Sequence, residues 1–270
     1  MSEVTYGRSR ISAAFKQAQE TQTAALMPYF PLGYPNREAS LDIVEAIAPH
    51  SDLIELGIPF SDPLADGPTV QHSTQISLEN GTTTVSCLEM VKELRQRGIT
   101  IPFIMMGYYN PILAYGQEKF VADAKAAGVD GFIVPDLPPD EADEFEQIVN
   151  DAEMNLVHFL APTSNETRID LVTKRAQGFI YLVSLTGVTG ARKTVKSNLE
   201  EFVSNVRAKA DIPLAVGFGI STPEQAGKVG SVADGVIVGS ALINATDAVE
   251  DNKPQAAAEF VKSLEEGLKK

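Results

Sequence analysis

Eight short, nearly continuous apolar runs recur along the chain, at residues 24–30, 52–58, 101–107, 129–134, 156–160, 179–184, 213–216 and 235–238. Runs of that length with few polar interruptions suit parallel strands covered on both faces. The stretches between them carry helical spacing. Val85, Leu88, Val91 and Leu94 share one face, and Ala257, Phe260, Val261, Leu264 and Leu268 share another. Helix starts are expected at PDE (139–141), SNE (164–166) and STPE (221–224), and helix stops at Gly98 and Gly128. Eight such units, with no composition shift and no Ser/Gly linker, imply one domain over residues 1–270 and an α/β fold, a single (β/α)8 TIM barrel. The wider gap between the second and third runs leaves room for an extra short helix around residues 69–78. A doubly wound open sheet is the alternative architecture. The count of eight and the lack of a GxGxxG fingerprint after the first run favour the barrel.

Composition excludes several function classes. The net charge of −14 argues against nucleic acid, because no basic surface is available to neutralise a run of phosphates. It says nothing against one small phosphate, which backbone N–H groups at a helix N-terminus can hold without Lys or Arg. No stretch approaches the ~18 continuous apolar residues of a membrane span, and the first residues are polar rather than signal-like. The single cysteine, Cys87, has no internal disulfide partner and reads as a small apolar filler. A reducing cytoplasm is the expected compartment.

In a barrel the chemistry lies on the loops that follow the strands, and two of these are long, at 59–68 and 185–197. Glu55 sits inside the apolar run LIELGI (53–58), on one face with Leu53 and Gly57. No Lys or Arg occurs in any of the eight runs to pair with it. Desolvation without a cation raises a carboxyl pKa and makes a proton donor near neutral pH. Asp66 lies eleven positions on, in the proline-constrained loop PFSDPLADGP (59–68). Its Asp-Gly pair reads alone as a turn; beside Glu55 it reads as the second member of a carboxylate pair that divides acid–base and charge-stabilising work. GFGISTP (217–223) after the seventh run and GSA (239–241) after the eighth occupy the positions where many barrels bind phosphate. GVTGAR (187–192) has two glycines able to act as lid hinges. Tyr181 shares a face with Phe179 and Val183 and points either toward Glu55 or into the core. His50, His72 and His158 have no HxxxH or HExxH spacing, no lysine lies in a strand run, and neither GxSxG nor a P-loop is present. Zinc-dependent, Schiff-base and serine-nucleophile chemistries are therefore disfavoured, and no metal is expected.

The segment ELGIPFSDPLADGP (55–68), followed in order by YYNP (108–111), VPDLP (134–138), GVTG (187–190) and GFGI (217–220), resembles the tryptophan synthase α subunit family. The resemblance runs from about residue 15 to residue 266. It implies cleavage of indole-3-glycerol phosphate to indole and glyceraldehyde 3-phosphate, a retro-aldol reaction of tryptophan biosynthesis with no cofactor in this chain. By match to the family motif, Glu55 is the acid–base residue, Asp66 binds the indole N–H, and Tyr181 orients Glu55. Thr189 holds Asp66 when the sixth loop closes. Gly190, Gly219, Gly239 and Ser240 bind phosphate, with Phe218 packed nearby. The resemblance further implies a pyridoxal-phosphate β subunit as partner in an α2β2 tetramer, contacted through Pro59, Asp62, Asn110 and Pro138, which receives indole through a tunnel.

Two choices depart from the family pattern: Gly107 before YYNP, and Pro31 in PLG (31–33) after the first strand. Both bear on the indole pocket and neither touches Glu55 or Asp66. Two rival readings remain, another phosphate-binding barrel acting on an indole or imidazole precursor, and a silent subunit that only activates a partner. The first lacks the catalytic Lys or the differently placed acid pair it would need. The second has no need of two retained carboxylates.

Overall fold

The computed structural model describes residues 6–183, 194–217 and 219–269. Its eight strands are β1 (Ala25–Pro31), β2 (Ile54–Gly57), β3 (Phe103–Met106), β4 (Gly131–Ile133), β5 (Asn155–Leu160), β6 (Ile180–Val183), β7 (Leu214–Gly217) and β8 (Gly235–Val238). They close in chain order into an all-parallel barrel, with β1 returning to β8 through Ala25↔Gly235 and Pro28↔Val238. The helices are α1 (Arg8–Glu20), α2 (Arg37–Ile47), α3 (Pro68–Glu79), α4 (Thr84–Gln96), α5 (Tyr109–Tyr115), α6 (Gln117–Ala127), α7 (Asp143–Asp151), α8 (Glu166–Arg175), α9 (Thr194–Arg207), α10 (Pro223–Gly230), α11 (Ser240–Asp247) and α12 (Lys253–Leu268). The extra helix expected near 69–78 is α3.

Strand alternation divides the apolar residues into two sets. Outward-facing side chains such as Leu26, Leu56, Met105 and Val236 pack under the helices. Inward-facing ones, among them Met27, Leu53, Ile104, Ile133, Val157, Ala215 and Ile237, form a separate barrel-interior cluster. Ile11, Phe15 and Ala18 of α1 belong to that interior cluster, so α1 plugs the barrel at the end where the strands begin. Phe15 stacks at 5.4 Å on Phe179. A Cβ at Gly235 would stand 3.0 Å from both Phe15 and Met27, which is why the strand carries glycine there.

The same end is pinned by Asp130, whose side chain is fully buried. It accepts from the Gly7 amide at 2.8 Å, the Phe103 amide at 2.9 Å, Arg10 at 3.0 Å and Arg95 at 2.9 Å. Arg95 in turn lies 3.8 Å over the Phe103 ring.

Three sequence expectations change. Pro31 is the last residue of β1 rather than part of the loop after it, paired with Gly57; a proline has no N–H to donate and is tolerated at such a strand end. Val85, in the first turn of α4, is half exposed and lies outside the stripe that buries Leu88, Val91 and Leu94. The helix start expected at PDE is a single 3-10 turn, Pro139–Glu141, and α7 begins two residues later.

Candidate active site

β2 carries Glu55 into the barrel interior at 1% exposure. Its Oε1 has no hydrogen-bond partner among the described residues. Burial pushes the carboxyl up to about 8, and nothing basic among the described residues offsets it. Asp66 ends the loop after β2, just before Gly67 caps α3. The loop is held in shape by turn contacts: the Asp66 amide donates to Pro63 at 3.0 Å, and Gln71 donates to the Asp66 carbonyl at 2.8 Å. Tyr108 completes the arrangement. Its hydroxyl accepts from the Ala65 amide at 2.9 Å and donates to Asp66 Oδ2 at 2.9 Å. Burial pushes the Asp66 carboxyl up and the Tyr108 bond pulls it back, leaving it at about 6. The two acids therefore stand on opposite sides of neutrality, Glu55 protonated and Asp66 ionised.

Both open on one cavity of about 370 Å³ at the C-terminal mouth of the barrel, whose far end is lined by Gly219, Ile220, Ser221, Gly239 and Ser240. No Lys or Arg lines it among the described residues. At that far end Leu242 and Ile243 donate their amides back to the Gly239 carbonyl, while those of Ser240 and Ala241 occupy the first turn of α11, where no intrahelical acceptor exists. Such a helix end holds an anionic group through backbone N–H donors and the helix dipole. The Ser221 amide is already taken by Gln225 at 2.8 Å.

Of the residues singled out in the sequence, Glu55, Asp66, Tyr181, Gly219, Gly239 and Ser240 all line this cavity. Tyr181 packs within the barrel interior and also faces the cavity. Its ring stacks at 4.8 Å on Phe159, and a Cβ at Gly217 would stand 2.2 Å from its hydroxyl. Burial, Glu55 and Asp66 together push that hydroxyl well above its usual range. No hydrogen bond joins it to Glu55 among the described residues. Thr189, Gly190 and Phe218 lie outside the described residues, as does the 185–193 part of the sixth loop. Asp62 and Asn110 are exposed and Pro138 partly so, whereas Pro59 is buried. At Gly107 a Cβ would stand 3.0 Å from Ile58 Cδ1, so glycine leaves room for that side chain. Among the described residues no group of three or more His, Cys, Asp or Glu could hold a metal, and no helix is long and apolar enough to cross a membrane.

Sequence reasoning missed Tyr29 and Tyr108. Tyr29 shares the inward face of β1 with Ala25 and Met27 and stands near the strand's C-terminal end, a position that marks a site residue in a barrel. Tyr108 opens the YYNP motif, but nothing local reveals that its hydroxyl reaches Asp66.

Fold and site together define a (β/α)8-barrel enzyme with a pair of acids at one end of its cavity and the N-terminus of α11 at the other. A family model described as tryptophan synthase alpha chain matches residues 15–270. The tryptophan synthase alpha chain of Chloroflexus aurantiacus is 47% identical over 258 residues, 95% of this chain and 97% of that protein. Tryptophan synthase of Saccharomyces cerevisiae is 43% identical over 96% of this chain, which spans 37% of that longer protein. The crystal structure of tryptophan synthase subunit alpha from Legionella pneumophila has a TM-score of 0.89 at 33% identity, covering 96% of this chain and 98% of that one. The chain belongs to the tryptophan synthase alpha chain family, carbon–carbon lyases acting on indole-3-glycerol phosphate.

Proposed function

We propose that Glu55 and Asp66 divide the work of cleaving indole-3-glycerol phosphate to indole and glyceraldehyde 3-phosphate, the reaction of the family to which this chain belongs. One observation carries the division of roles: a fully buried carboxyl with an oxygen unpartnered among the described residues opens on the same cavity as Asp66, whose carboxyl is held lower, at about 6. At neutral pH a carboxyl held at about 8 retains its proton and delivers it to C3 of the indole ring. The positive charge that forms spreads to the ring N–H, where ionised Asp66 accepts a hydrogen bond and stabilises it. The Glu55 carboxylate left behind takes the proton of the adjacent glycerol hydroxyl. As the carbonyl forms, the bond from C3 to the chain breaks and its electron pair returns to the ring. Glu55 ends protonated, so no net proton is consumed.

In this reading Tyr181 orients Glu55, and the α11 terminus at Gly239 and Ser240, together with Gly219, binds the phosphate. Thr189, Gly190 and Phe218 join the substrate-binding set by motif match alone. The family implies a β subunit as partner. An α2β2 assembly, pyridoxal phosphate on that partner, passage of indole to it and contact through Pro59, Asp62, Asn110 and Pro138 extend the proposal, as do a single catalytic unit over the whole chain and a cytoplasmic location. For Pro59 the contact would be made by its backbone or after loop movement, since its side chain is buried.

The test is indole release from indole-3-glycerol phosphate by the purified chain and its Glu55→Gln variant, with and without a β subunit. Turnover that the β subunit accelerates, and that the variant loses by ~10²–10⁴, the usual weight of a positioned acid–base group, supports the reading. A variant within a few-fold of the parent protein removes Glu55 from the chemistry.

A further inference from the structure

Tyr29 lines the cavity together with residues of both its ends. Tyr29 is 7% exposed, and its ring edge lies against Gly239, where a Cβ would stand 3.3 Å from Cδ1. Its hydroxyl reaches the neighbouring strand, so that a Cβ at Gly57 would stand 2.3 Å from it. Gly57 is the next inward-facing residue after Glu55 on β2, and Tyr29 is the register partner of Glu55 itself. Tyr29 thus spans the distance from the anion-binding helix terminus to the carboxylate pair. Burial, and after it the negative charge of Asp66, keep the phenol in its protonated, donor form. Among the described residues nothing accepts its hydrogen. A buried phenol ordinarily finds a partner for its O–H; here the open position belongs to whatever fills the middle of the cavity.

We propose that Tyr29 is a substrate-orienting residue whose hydroxyl donates a hydrogen bond to a glycerol oxygen of the substrate, between the phosphate at Gly239 and the ring at Asp66. The inference rests on the reading under Proposed function. A phenol suits this role because its ring, fixed by packing, places a donor with little freedom to lose. The bond turns the glycerol chain so that the reacting hydroxyl faces Glu55, and it distinguishes a hydroxylated linker from a plain alkyl one. Tyr181, seated over Gly217 as Tyr29 is over Gly57, lines the same cavity.

The test is Tyr29→Phe, which keeps the ring and removes the donor. Two quantities are read in parent and variant: kcat/KM for indole-3-glycerol phosphate, and calorimetric affinity for 3-indolylpropyl phosphate, which keeps ring and phosphate but lacks both hydroxyls. The expected result is a fall in kcat/KM of roughly tenfold or more, as for a site that loses its partner to a substrate hydroxyl, with affinity for the alkyl probe changed less than about twofold. Preserved probe binding also shows that the variant is folded. A kcat/KM loss below about threefold overturns the proposal. So does a matching loss of probe affinity, which would assign Tyr29 to packing alone. A parent protein that releases no indole overturns this inference and the underlying reading together, whereas an active parent with an unchanged variant overturns only this one.

Discussion

Replacing Glu55 by Gln tests the central physical claim without any substrate. Burial raises the carboxyl from 4.5 to about 8 in the folded protein, whereas the unfolded chain titrates at the ordinary value. Between those two pH values the folded state binds a proton that the unfolded state has released. Stability therefore falls as pH rises: the contribution of the neutral acid is complete below the unfolded value and lost by the time pH has passed through about 8. From pH 5.5 upward the relevant span is about 2.5 units, which at 1.36 kcal/mol per unit gives roughly 3 kcal/mol. Gln copies the shape of the neutral acid and cannot ionise. Its stability relative to the parent should accordingly improve by roughly 3 kcal/mol between about pH 5.5 and pH 9. Urea unfolding of both proteins at the two pH values measures this directly. Taking the difference of differences cancels every other titrating group and any constant cost of the new amide. If the relative stability moves by less than ~0.5 kcal/mol, the carboxyl ionises normally in the folded state and the argument from burial is wrong.

The same titrations predict a bell-shaped pH dependence of kcat/KM, falling below about 6 as Asp66 gains a proton and above about 8 as Glu55 loses one; a profile flat across that range contradicts the division of roles. Tyr108→Phe removes the bond that pulls the Asp66 carboxyl down, so the acid limb should move to higher pH while the alkaline limb stays in place. Gly217→Ala would set a Cβ 2.2 Å from the Tyr181 hydroxyl and displace that ring within the cavity it shares with Glu55. Indole release should drop by ~10-fold or more, the effect of a small misplacement near the chemistry, with the circular dichroism spectrum retained. Asp130→Ala strands two buried arginine contacts and two backbone amides. Thermal or urea unfolding should show a loss of ~3–5 kcal/mol, and a loss under ~1 kcal/mol would mean that the α1 end is held by packing alone.

Strand positions were legible to within a residue or two, because an all-parallel barrel buries both faces of every strand and leaves an apolar run as its trace. The run at 235–238 coincides with β8. Asp66 was legible through its loop, whose prolines and glycine mark a constrained turn in the sequence itself. The plug helix was not read. Its stripe is only Ile11, Phe15 and Ala18 within a polar segment, and its value lies in the barrel opening it fills. Tyr29 was not read either. On a strand of apolar neighbours an aromatic looks like core, and only the closed barrel shows that its hydroxyl arrives over Gly57, on a strand more than twenty residues away. Tyr108 reaches Asp66 from 42 positions along the chain, a distance that local pattern does not span.

Glu55 and Asp130 show where burial alone stops being informative. Each is an acid within an apolar run, each is buried to 1% or less, and no run contains a cation for either. By the sequence criterion that singles out Glu55, Asp130 qualifies equally. The structure separates them by their partners. Asp130 stands at the strand-start end, where Arg10 comes from α1 and Arg95 from α4, and two amides complete its coordination. A carboxylate so surrounded contributes order and has nothing left to offer a ligand. Glu55 faces the other mouth, where among the described residues the cavity lining carries Asp66 and glycines but no Lys or Arg, and its Oε1 has no donor among them. Leaving a buried polar atom unpaired costs about 1–3 kcal/mol, a cost the satisfied acid at the opposite end does not carry. An unpartnered buried acid is stable only as a neutral group, and a neutral acid facing a cavity is a proton waiting for an acceptor. The search for catalytic residues in such barrels should therefore ask which buried acid lacks donors, since the arginines that quiet the others come from helices far away in sequence.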